Sequence, residues 1–399
     1  MSAANPADWS TVRLGEVGQS LIGLTYSPGN VKRSGTLVLR SSNIQDGALA
    51  FENNVYVDSD IPDKIRVLEN DVLICVRNGS RRLIGKSVIL DKRVVGQTFG
   101  AFMAVYRSDA NPFLQYFFQS DDFKNQIDAH LGATINQITN GSLNSFVVAL
   151  PPKDEQNAIA ARLKDADQLI ATLQRLIAKK QAIKQGMMQQ LLTGRTRLPG
   201  FSGDWPIVPL FDLVDIRNGQ VDPRDETYRN MTLVAPDQVE AGTGRMLFRA
   251  SAADQRAISG KYLVDVGDII YGKINPHLKK VARATEASLC SADMYPLSPR
   301  PGVDGGYVFY HLLGDNFTNF AVSLSRRSGI PKINREGLRG YTMPLPGQKE
   351  QRAISSALGA IDAQIETLRT RLTKARAVKV GMMQQLLTGR VRLPMEASS

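Results

Sequence analysis

The sequence predicts an α+β protein with a pseudo-two-fold internal repeat, in which two mixed α/β domains are separated by two long antiparallel coiled-coil helices. The segment Gly186 to Pro199, GMMQQLLTGRTRLP, returns at Gly381 to Pro394 as GMMQQLLTGRVRLP, 195 residues later. Each copy ends a long stretch that lacks proline and is rich in helix-forming residues. Each stretch follows a region of short apolar runs separated by Gly, Asn, Asp and Pro. The chain therefore consists of two halves that end in the same segment.

The charge balance favours a polyanionic partner. Lys and Arg number 49 against 38 Asp and Glu, which gives a formal net charge of +11. Nucleic acid is the first candidate. A membrane surface is the weaker one, because no apolar run approaches the roughly 18 residues that span a bilayer. The N-terminus lacks the pattern of a signal peptide, so we predict a cytoplasmic protein.

Cysteine and histidine usage argues against a metal site and a disulfide framework. The chain has one cysteine in each half, Cys75 and Cys290, no CxxC motif and three histidines. We expect both cysteines to be reduced, partly buried and apolar in behaviour.

The first domain is predicted to span residues 1–152. Strand-like runs occur at Thr36 to Arg40, Val72 to Val76, Ser87 to Leu90 and Phe102 to Tyr106. Helical patterns occur at Phe113 to Gln119 and at Asp121 to His130.

Two helical spacers are predicted at residues 153–195 and 347–392. In the first, Asp154 and Glu155 lie at the positive end of the helix dipole, and Gly194 follows as a stop signal. Apolar residues spaced alternately by four and three form the seam of a coiled coil. An antiparallel pairing of the two helices is the simplest way to cover both seams. The seam residues are Ile159, Leu163, Ala166, Ile170, Leu173 and Ile177 in the first helix, and Ile354, Leu358, Ile361, Ile365, Leu368 and Leu372 in the second.

The second domain is predicted to span residues 196–346, and residues 393–399 are predicted to form a flexible tail. Its strand-like runs are Met231 to Val234, Asp268 to Tyr271 and Val308 to Tyr310. Weak echoes of the first domain persist, for example Leu39 to Gly47 against Val234 to Gly242. Scaffold positions recur in these echoes, whereas exposed polar positions differ.

The near-identity of the helix ends predicts the same docking surface for two copies of one partner. Packing alone would explain the apolar residues, so a role as core remains the alternative. The polar residues favour a partner, because Gln189, Gln190 and Arg195 repeat as Gln384, Gln385 and Arg390. The candidate partner-binding residues are Met187, Met188, Gln190, Leu191, Met382, Met383, Gln385 and Leu386.

The divergence of the two domains predicts two readers of different ligands. With the basic excess, duplex DNA is the natural ligand, and the recognition sequence would be bipartite and asymmetric. Lys and Arg would contact phosphates, while Arg would read guanine and Asn or Gln would read adenine. Solvated turns are the alternative explanation for any single residue. The candidates in the first domain are Lys32, Arg33, Arg40, Ser42, Asn43, Arg77, Asn78, Ser80, Arg81, Arg82, Lys86, Asn136, Gln137, Thr139 and Asn140. Those in the second are Lys273, Asn275, His277, Lys279, Lys280, Arg326, Arg327, Lys332, Asn334 and Arg335.

The sequence does not predict an enzyme. Gly79 to Ser87, GSRRLIGKS, has five residues between its glycines, whereas a phosphate loop needs four. Asn111-Pro112-Phe113 and Asn275-Pro276-His277 lack the second proline of an adenine methyltransferase loop. Neither HExxH nor GxSxG is present.

Over nearly its full length the chain resembles the specificity subunit of type I restriction-modification enzymes. The resemblance rests on LPxxxEQxxI at Leu150 to Ile159 and Leu345 to Ile354, and on KxGMMQQLLTGRxRL at Lys184 to Leu198 and Lys379 to Leu393. It implies two target recognition domains for double-stranded DNA and helical spacers that dock two methyltransferase subunits, together with a restriction and translocase subunit. S-adenosylmethionine, ATP and Mg²⁺ would then bind to those partners, with no cofactor on this chain. The alternatives are the specificity chain of a type IIB-like enzyme and a coiled-coil structural adaptor for another polyanion.

Overall fold

The structure is a computed structural model that describes residues 6–131, 136–325 and 329–394. It divides into two compact units. Unit 1 contains Met1–Leu173 and Arg371–Ser399, and unit 2 contains Gln174–Thr370. Each unit thus combines one mixed α/β domain with the first part of one long helix and the last part of the other.

Unit 1 contains short strands and helices followed by the first long helix. The strands are β1 (Ser10–Arg13), β2 (Gln19–Ile22), β3 (Val31–Lys32), β4 (Thr36–Leu39), β5 (Ile44–Gln45), β6 (Ala48–Leu49), β7 (Tyr56–Val57), β8 (Val72–Cys75), β9 (Ser87–Ile89), β10 (Thr98–Phe99), β11 (Met103–Arg107) and β12 (Val147–Leu150). The helices are α1 (Leu14–Val17), α2 (Asn111–Phe117), α3 (Asp121–His130), α4 (Asn140–Ser145) and the long α5 (Lys153–Leu191), whose last part belongs to unit 2.

Unit 2 repeats this plan. Its strands are β13 (Ile207–Pro209), β14 (Val214–Ile216), β15 (Leu233–Val234), β16 (Tyr262–Val264), β17 (Ile269–Gly272), β18 (Val281–Arg283), β19 (Ser288–Cys290), β20 (Met294–Pro299) and β21 (Thr342–Pro344). Its helices are α6 (Gly305–Leu313), α7 (Asp315–Ser325), α8 (Arg335–Arg339) and α9 (Gln348–Leu386), whose last part belongs to unit 1.

The main antiparallel sheet has the same strand order in both units, whereas the second sheet differs in its number and order of strands. An antiparallel sheet runs β2-β11-β8-β9 in unit 1 and β14-β20-β17-β18 in unit 2. A second, mixed sheet runs β10-β4-β7-β3 in unit 1 and β15-β19-β16 in unit 2, each with one parallel pair. The pairs β1-β12 and β13-β21 close the corresponding ends. The chain is therefore a mixed α/β protein with two repeated domains.

Most sequence-predicted elements are confirmed, and one is wrong. The four strands and two helices predicted in the first domain match β4, β8, β9, β11, α2 and α3 to within two residues at each end. Val308 to Tyr310, predicted as a strand, instead lies in α6, all of whose residues are buried. A continuous apolar run carries no periodicity that separates a buried helix from a buried strand.

Both cysteines are free and fully buried, whereas the sequence predicts only partial burial. Burial raises the pKa of the Cys290 thiol to about 12, so this side chain behaves as a small apolar group.

In each unit, a Glu–Arg–Trp cluster joins the start of one long helix to the segment that follows the end of the other. In unit 1, the Arg392 guanidinium donates to both Glu155 carboxylate oxygens at 2.7 Å, and Trp9 Nε1 donates to Glu155 Oε2 at 3.0 Å. In unit 2, Arg197 makes the same two bonds to Glu350 at 2.6 Å, and Trp205 Nε1 donates at 3.1 Å. Both glutamates are buried near the start of their helix.

A Tyr–Asp–Lys cluster lies further along the helices, and its tyrosine comes from the mixed α/β domain of the same unit. In unit 1, Lys379 Nζ lies 2.7 Å from Asp167 Oδ1, and the Tyr116 hydroxyl donates to Asp167 Oδ2 at 3.1 Å. In unit 2, Lys184 and Tyr310 bind Asp362 in the same way, at 2.6 and 2.8 Å. Within each unit the contacts therefore run in opposite directions along the two helices.

His311 occupies a position that is aromatic and apolar in unit 1. It follows Tyr310 as Phe117 follows Tyr116, and it is 5% exposed. Its Nε2 makes no hydrogen bond to any residue that the structure describes. Burial lowers the pKa of His311 to about 3, so the folded protein holds this side chain neutral at working pH.

We predict that His311→Phe stabilises the protein most in mild acid. In the unfolded wild-type protein, His311 gains a proton as pH falls below the ordinary pKa of histidine. In the folded protein, His311 does not gain a proton until about pH 3. The substitution removes that penalty, which is on the order of 2 kcal/mol at about pH 5 and near zero at about pH 8. Denaturant unfolding at both pH values measures the difference, and His277→Ala, at an exposed histidine, is the control. An equal effect at both pH values would contradict the prediction.

Candidate nucleic-acid interface

Three of the predicted segments of the first domain come together beyond the end of β8. Arg77 and Gln137 form an isolated antiparallel bridge. Asn136 Nδ2 donates to Gly79 O, and Asn78 Nδ2 donates to Ser41 Oγ, both at 3.4 Å. The structure thus joins the loops after β4, after β8 and before α4 into one polar surface.

The cations of this surface differ in what they contact. Arg77 and Arg82 are exposed, and the Arg77 guanidinium lies 5.0 Å from the centre of the Phe102 ring. Arg81 shares its charge with Asp128 at 3.3 Å, in a pair that is about half exposed. Among the described residues no acidic side chain forms an ion pair with Arg77 or Arg82, so both charges remain available to a polyanion.

The remaining cations of the first domain lie around these loops. Lys32 and Arg33 are exposed at the edge strand β3 and directly after it. Arg40 lies directly after β4 and donates to Asn53 O at 3.3 Å. Ser80 and Lys86 are partly buried at either end of the Arg81–Arg82 turn, and Ser42 is partly buried beside Ser41.

Unit 2 forms the same backbone connection with different side chains. Ile333 N donates to Lys273 O as Ile138 N donates to Val76 O, and Ile274 bridges Lys332 as Arg77 bridges Gln137. Lysine thus replaces valine, and isoleucine replaces arginine, at matching points of one scaffold. Lys273 Nζ lies 5.2 Å from the Tyr295 ring centre, and the Arg335 guanidinium lies 5.4 Å from the same centre.

The turn after Lys273 presents the other predicted residues of unit 2. His277 and Lys332 are exposed, and Asn275 and Lys279 both have positive φ. Lys279 Nζ contacts Asp315 Oδ1 at 2.5 Å, and this bond holds the pKa of the Asp315 carboxyl below its usual range. Lys280 Nζ donates to the Val239 carbonyl. Arg326 and Arg327 lie outside the described residues.

Five of the predicted contact residues form hydrogen bonds within their own fold. Asn43 is fully buried: its Oδ1 accepts from Arg40 N, and its Nδ2 donates to Ala50 O. Its counterpart Gln238 is equally buried and accepts from Ala235 N. Burial removes Asn43 from the candidate DNA contacts, because the side chain already satisfies its own loop.

The other four are at helix starts. The side chains of Thr139 and Asn334 cap α4 and α8, and Asn140 Nδ2 donates to Ser20 O as Arg335 donates to Arg217 O. A polar residue before a short helix is therefore as much a signal for capping as for base reading.

The loop at Gly79 to Ser87 does not have the geometry of a phosphate loop. It contains a short 3₁₀ turn at Arg81–Leu83 and leads into strand β9, whereas a phosphate loop leads into a helix. Within the described ranges, no three His, Cys, Asp or Glu side chains are grouped so as to hold a metal ion. Nor does any helix in those ranges have the apolar length that a bilayer crossing requires.

The repeated helix ends divide into buried and exposed residues. Leu191 and Leu386 are core residues of unit 2 and unit 1, and burial removes both from the candidate docking surface. Met187, Met188, Met382 and Met383 are partly buried against the same cores. Gln190, Arg195, Gln385 and Arg390 are exposed, so they are the matching polar residues that neither core requires.

A cavity of about 880 Å³ adjoins the helix end in unit 2. Its lining includes Met188, Gln189 and Arg195 from α5 and the residues after it, and Arg245 and Phe309 from the domain. One wall of the cavity is thus formed by the segment whose sequence is repeated in unit 1, and the other wall is formed by domain residues that are not repeated.

Sequence reasoning missed the aromatic residues of both interfaces and the two helix-joining clusters. Phe102, Tyr262 and Tyr295 lie beside arginine side chains. The sequence places Phe102 in a predicted strand, whereas in the structure it directly precedes β11. The recurrence of Glu155 as Glu350 and of Arg197 as Arg392 was the available signal for the Glu–Arg–Trp clusters.

Two domains with the same main sheet and different polar loops define a two-headed recognition protein. Residues 6–184 and 202–376 match the type I restriction modification DNA specificity domain, and the chain belongs to this family. The specificity subunit of the type I restriction enzyme EcoDI from Escherichia coli is 27% identical, over 97% of this chain and 89% of the relative. The MjaVIII specificity subunit from Methanocaldococcus jannaschii is 25% identical, over 97% and 94%.

Solved structures show the same fold. The S subunit of a type I restriction-modification system from M. genitalium has a TM-score of 0.62 at 12% identity, and the match covers 99% of each chain. A chain solved in work on complex assembly and conformational transition of the type I R-M system has a TM-score of 0.58 at 19% identity, covering 98% of this chain and all of that one. The comparisons do not favour the type IIB-like or adaptor alternatives.

We predict that Arg81→Ala combined with Arg82→Ala lowers DNA affinity without unfolding unit 1. Each lost phosphate contact should reduce the slope of log affinity against log salt by about 0.9. The Arg81–Asp128 pair is exposed, so its loss should cost the fold under about 1 kcal/mol. DNA binding at several salt concentrations measures the slope. Lys64→Ala is the control, because Lys64 is an exposed lysine outside the candidate loops. Unchanged affinity and slope in the double variant would remove this loop from the interface.

Proposed function

We propose that this chain is the non-catalytic DNA-recognition subunit of a type I restriction-modification complex, and that each unit reads one half of a bipartite, asymmetric site. The observation that carries the proposal is the pair of matching backbone bonds at Val76–Ile138 and Lys273–Ile333. Around these bonds the two units present unlike side chains. A scaffold that is kept while its exposed loops change is suited to reading two different sequences.

The proposed partners supply the catalysis. They are two copies of a methyltransferase subunit and a restriction and translocase subunit, which bind S-adenosylmethionine, ATP and Mg²⁺. Relatives along nearly the whole chain are named as specificity subunits, which supports this division of labour. We propose that the complex acts in the cytoplasm, where the DNA of the host is accessible.

The two long helices are proposed to form an antiparallel coiled-coil spacer between the recognition domains. In each unit, the Glu–Arg–Trp cluster involves the start of one helix and the segment after the other, and the Tyr–Asp–Lys cluster involves positions further inside both helices. This arrangement supports the antiparallel direction. All twelve predicted seam residues are buried or partly buried, in keeping with a covered face. A spacer of fixed length would hold two half-sites at a fixed separation.

The exposed polar residues of the repeat are proposed to dock the methyltransferases. Gln190 and Arg195 in unit 2 correspond to Gln385 and Arg390 in unit 1, and all four are exposed. Matching surfaces bind matching partners. The four methionines would contribute through their partly exposed sides, because the rest of each side chain packs on the core.

We predict that exchanging residues 1–150 for those of a relative with another specificity changes one half of the methylated motif. The reason is that the loops of the first domain contact only their own half-site. Methylation sequencing of host genomes carrying the wild type and the chimera compares the two motifs. A change in both halves would contradict independent reading, and a partner that both methylates and cuts would favour the type IIB-like alternative.

We predict that Arg390→Ala weakens methyltransferase binding while leaving the fold intact. Arg392→Ala should instead destabilise the fold while leaving the docking residues in place. Arg390 is exposed, whereas Arg392 binds the buried Glu155, whose charge would lose its cation. Arg392 also holds the pKa of the Asp8 carboxyl below its usual range through a side-chain hydrogen bond. Co-purification measures docking and thermal unfolding measures stability. If the two variants behaved alike, the division of the repeat into structural and docking residues would be wrong.

A further inference from the structure

We propose that Phe102 reads a thymine methyl group in the half-site recognised by unit 1, an inference that rests on the proposed DNA-recognition function. Its side chain is 57% exposed, while Phe99, three residues earlier, is fully buried. Single exposed apolar residues are common on protein surfaces, so exposure alone does not assign a role. The position of the ring beside the loops that carry Arg40 and Arg77 assigns the role.

Phe102 belongs to the loop surface described above. It lies in the turn between β10 and β11, and its carbonyl accepts from both Val76 N and Arg77 N at 3.1 Å. The same turn passes close to the loop after β4, since a Cβ added at Gly100 would lie 3.9 Å from Arg40 Cγ. The turn that carries Phe102 is therefore tied to the two loops that carry Arg40 and Arg77.

The aromatic ring and the Arg77 guanidinium form a pair, with 5.0 Å between the guanidinium carbon and the ring centre. A cation over an aromatic face is held there by the ring quadrupole. The two side chains would consequently approach the same groove side by side. In the major groove, Arg recognises guanine O6 and N7, and an apolar side chain recognises the thymine C5-methyl group.

The chemistry of the phenylalanine side chain limits which group on the DNA it can recognise. The ring has no hydrogen-bond donor or acceptor, so it cannot read the amino, carbonyl or N7 groups of a base edge. The thymine methyl is the apolar group that distinguishes base pairs in the major groove. A ring exposed beside a reading arginine fits that group.

Unit 2 does not share this feature. Lys273 N donates to Asp293 O at 3.0 Å, as Val76 N donates to Phe102 O, so Asp293 occupies the equivalent position. A carboxylate there cannot make an apolar contact. The thymine-reading role is thus specific to the half-site of unit 1.

The test replaces each thymine of the methylated motif, one at a time, by deoxyuridine, which lacks only the methyl group. Binding of the full chain with its methyltransferase is measured for wild type, Phe102→Ala and the control Leu68→Ala. Leu68 is similarly exposed and lies before the opposite end of β8. We expect one deoxyuridine in the unit 1 half-site to weaken wild-type binding about threefold to tenfold. Phe102→Ala should lose the same amount on thymine DNA and be insensitive to that deoxyuridine.

Two results would overturn the inference: no thymine in that half-site is sensitive, or Phe102→Ala retains the full sensitivity. An unchanged slope of log affinity against log salt is also expected, because Phe102 carries no charge. A thermal unfolding curve equal to that of wild type separates reading from folding. If Arg81→Ala with Arg82→Ala weakens binding and Phe102→Ala does not, this inference alone fails. If neither weakens binding, the proposed function of unit 1 fails as well.

Discussion

The buried carboxylates of Glu155 and Glu350 constrain the rest of the structure. A carboxylate removed from water is costly unless it is paired and hydrogen-bonded. Each receives two bonds from an arginine and one from a tryptophan, and both donors come from other segments of the chain. Arg392 follows the end of α9 and binds at the start of α5, whereas Arg197 follows the end of α5 and binds at the start of α9. Neither long helix can therefore satisfy its first turn without the segment that follows the other.

This reciprocal dependence explains where the two halves agree. In the repeated segment, Thr193 and Thr388 bond back to the helix, and Gly194 and Gly389 adopt positive φ. A side chain at either glycine would also meet its neighbours, because an added Cβ would lie 3.3 Å from the Trp205 ring or 2.5 Å from Pro6. Lys184 and Arg197 likewise already form ion pairs within the Tyr–Asp–Lys and Glu–Arg–Trp clusters. The repeated polar residues that have no such role and are exposed include Gln190, Arg195 and their counterparts Gln385 and Arg390.

The sequence predicts the architecture well and the individual contacts poorly, for physical reasons. Exact repetition and heptad spacing are strong signals, so α5, α9 and the two-domain plan follow from them. The helix α6 does not, since burial on all sides removes its periodicity. Asn43 and Asn334 resemble base-reading residues in the sequence, but the same amide chemistry serves a buried loop and a helix cap. The pairing of Arg77 with Phe102 depends on a turn that is distant in sequence and leaves no local pattern.

The two units differ in how their cations are held, and this difference bears on what each can read. In unit 1, Arg77 and Arg82 lack acidic partners among the described residues, and arginine offers a planar pair of donors. In unit 2, Lys279 is paired with Asp315, and Lys273 and Lys280 donate to backbone carbonyls. A lysine already bound in this way would have to exchange one partner for another in order to contact a polyanion. Arg335 of unit 2 is held in a similar way, because it donates to Asn218 and to the Arg217 carbonyl and lies against Tyr262 and Tyr295. The charges of Arg77 and Arg82 in unit 1 are therefore less committed to the fold than these cations of unit 2.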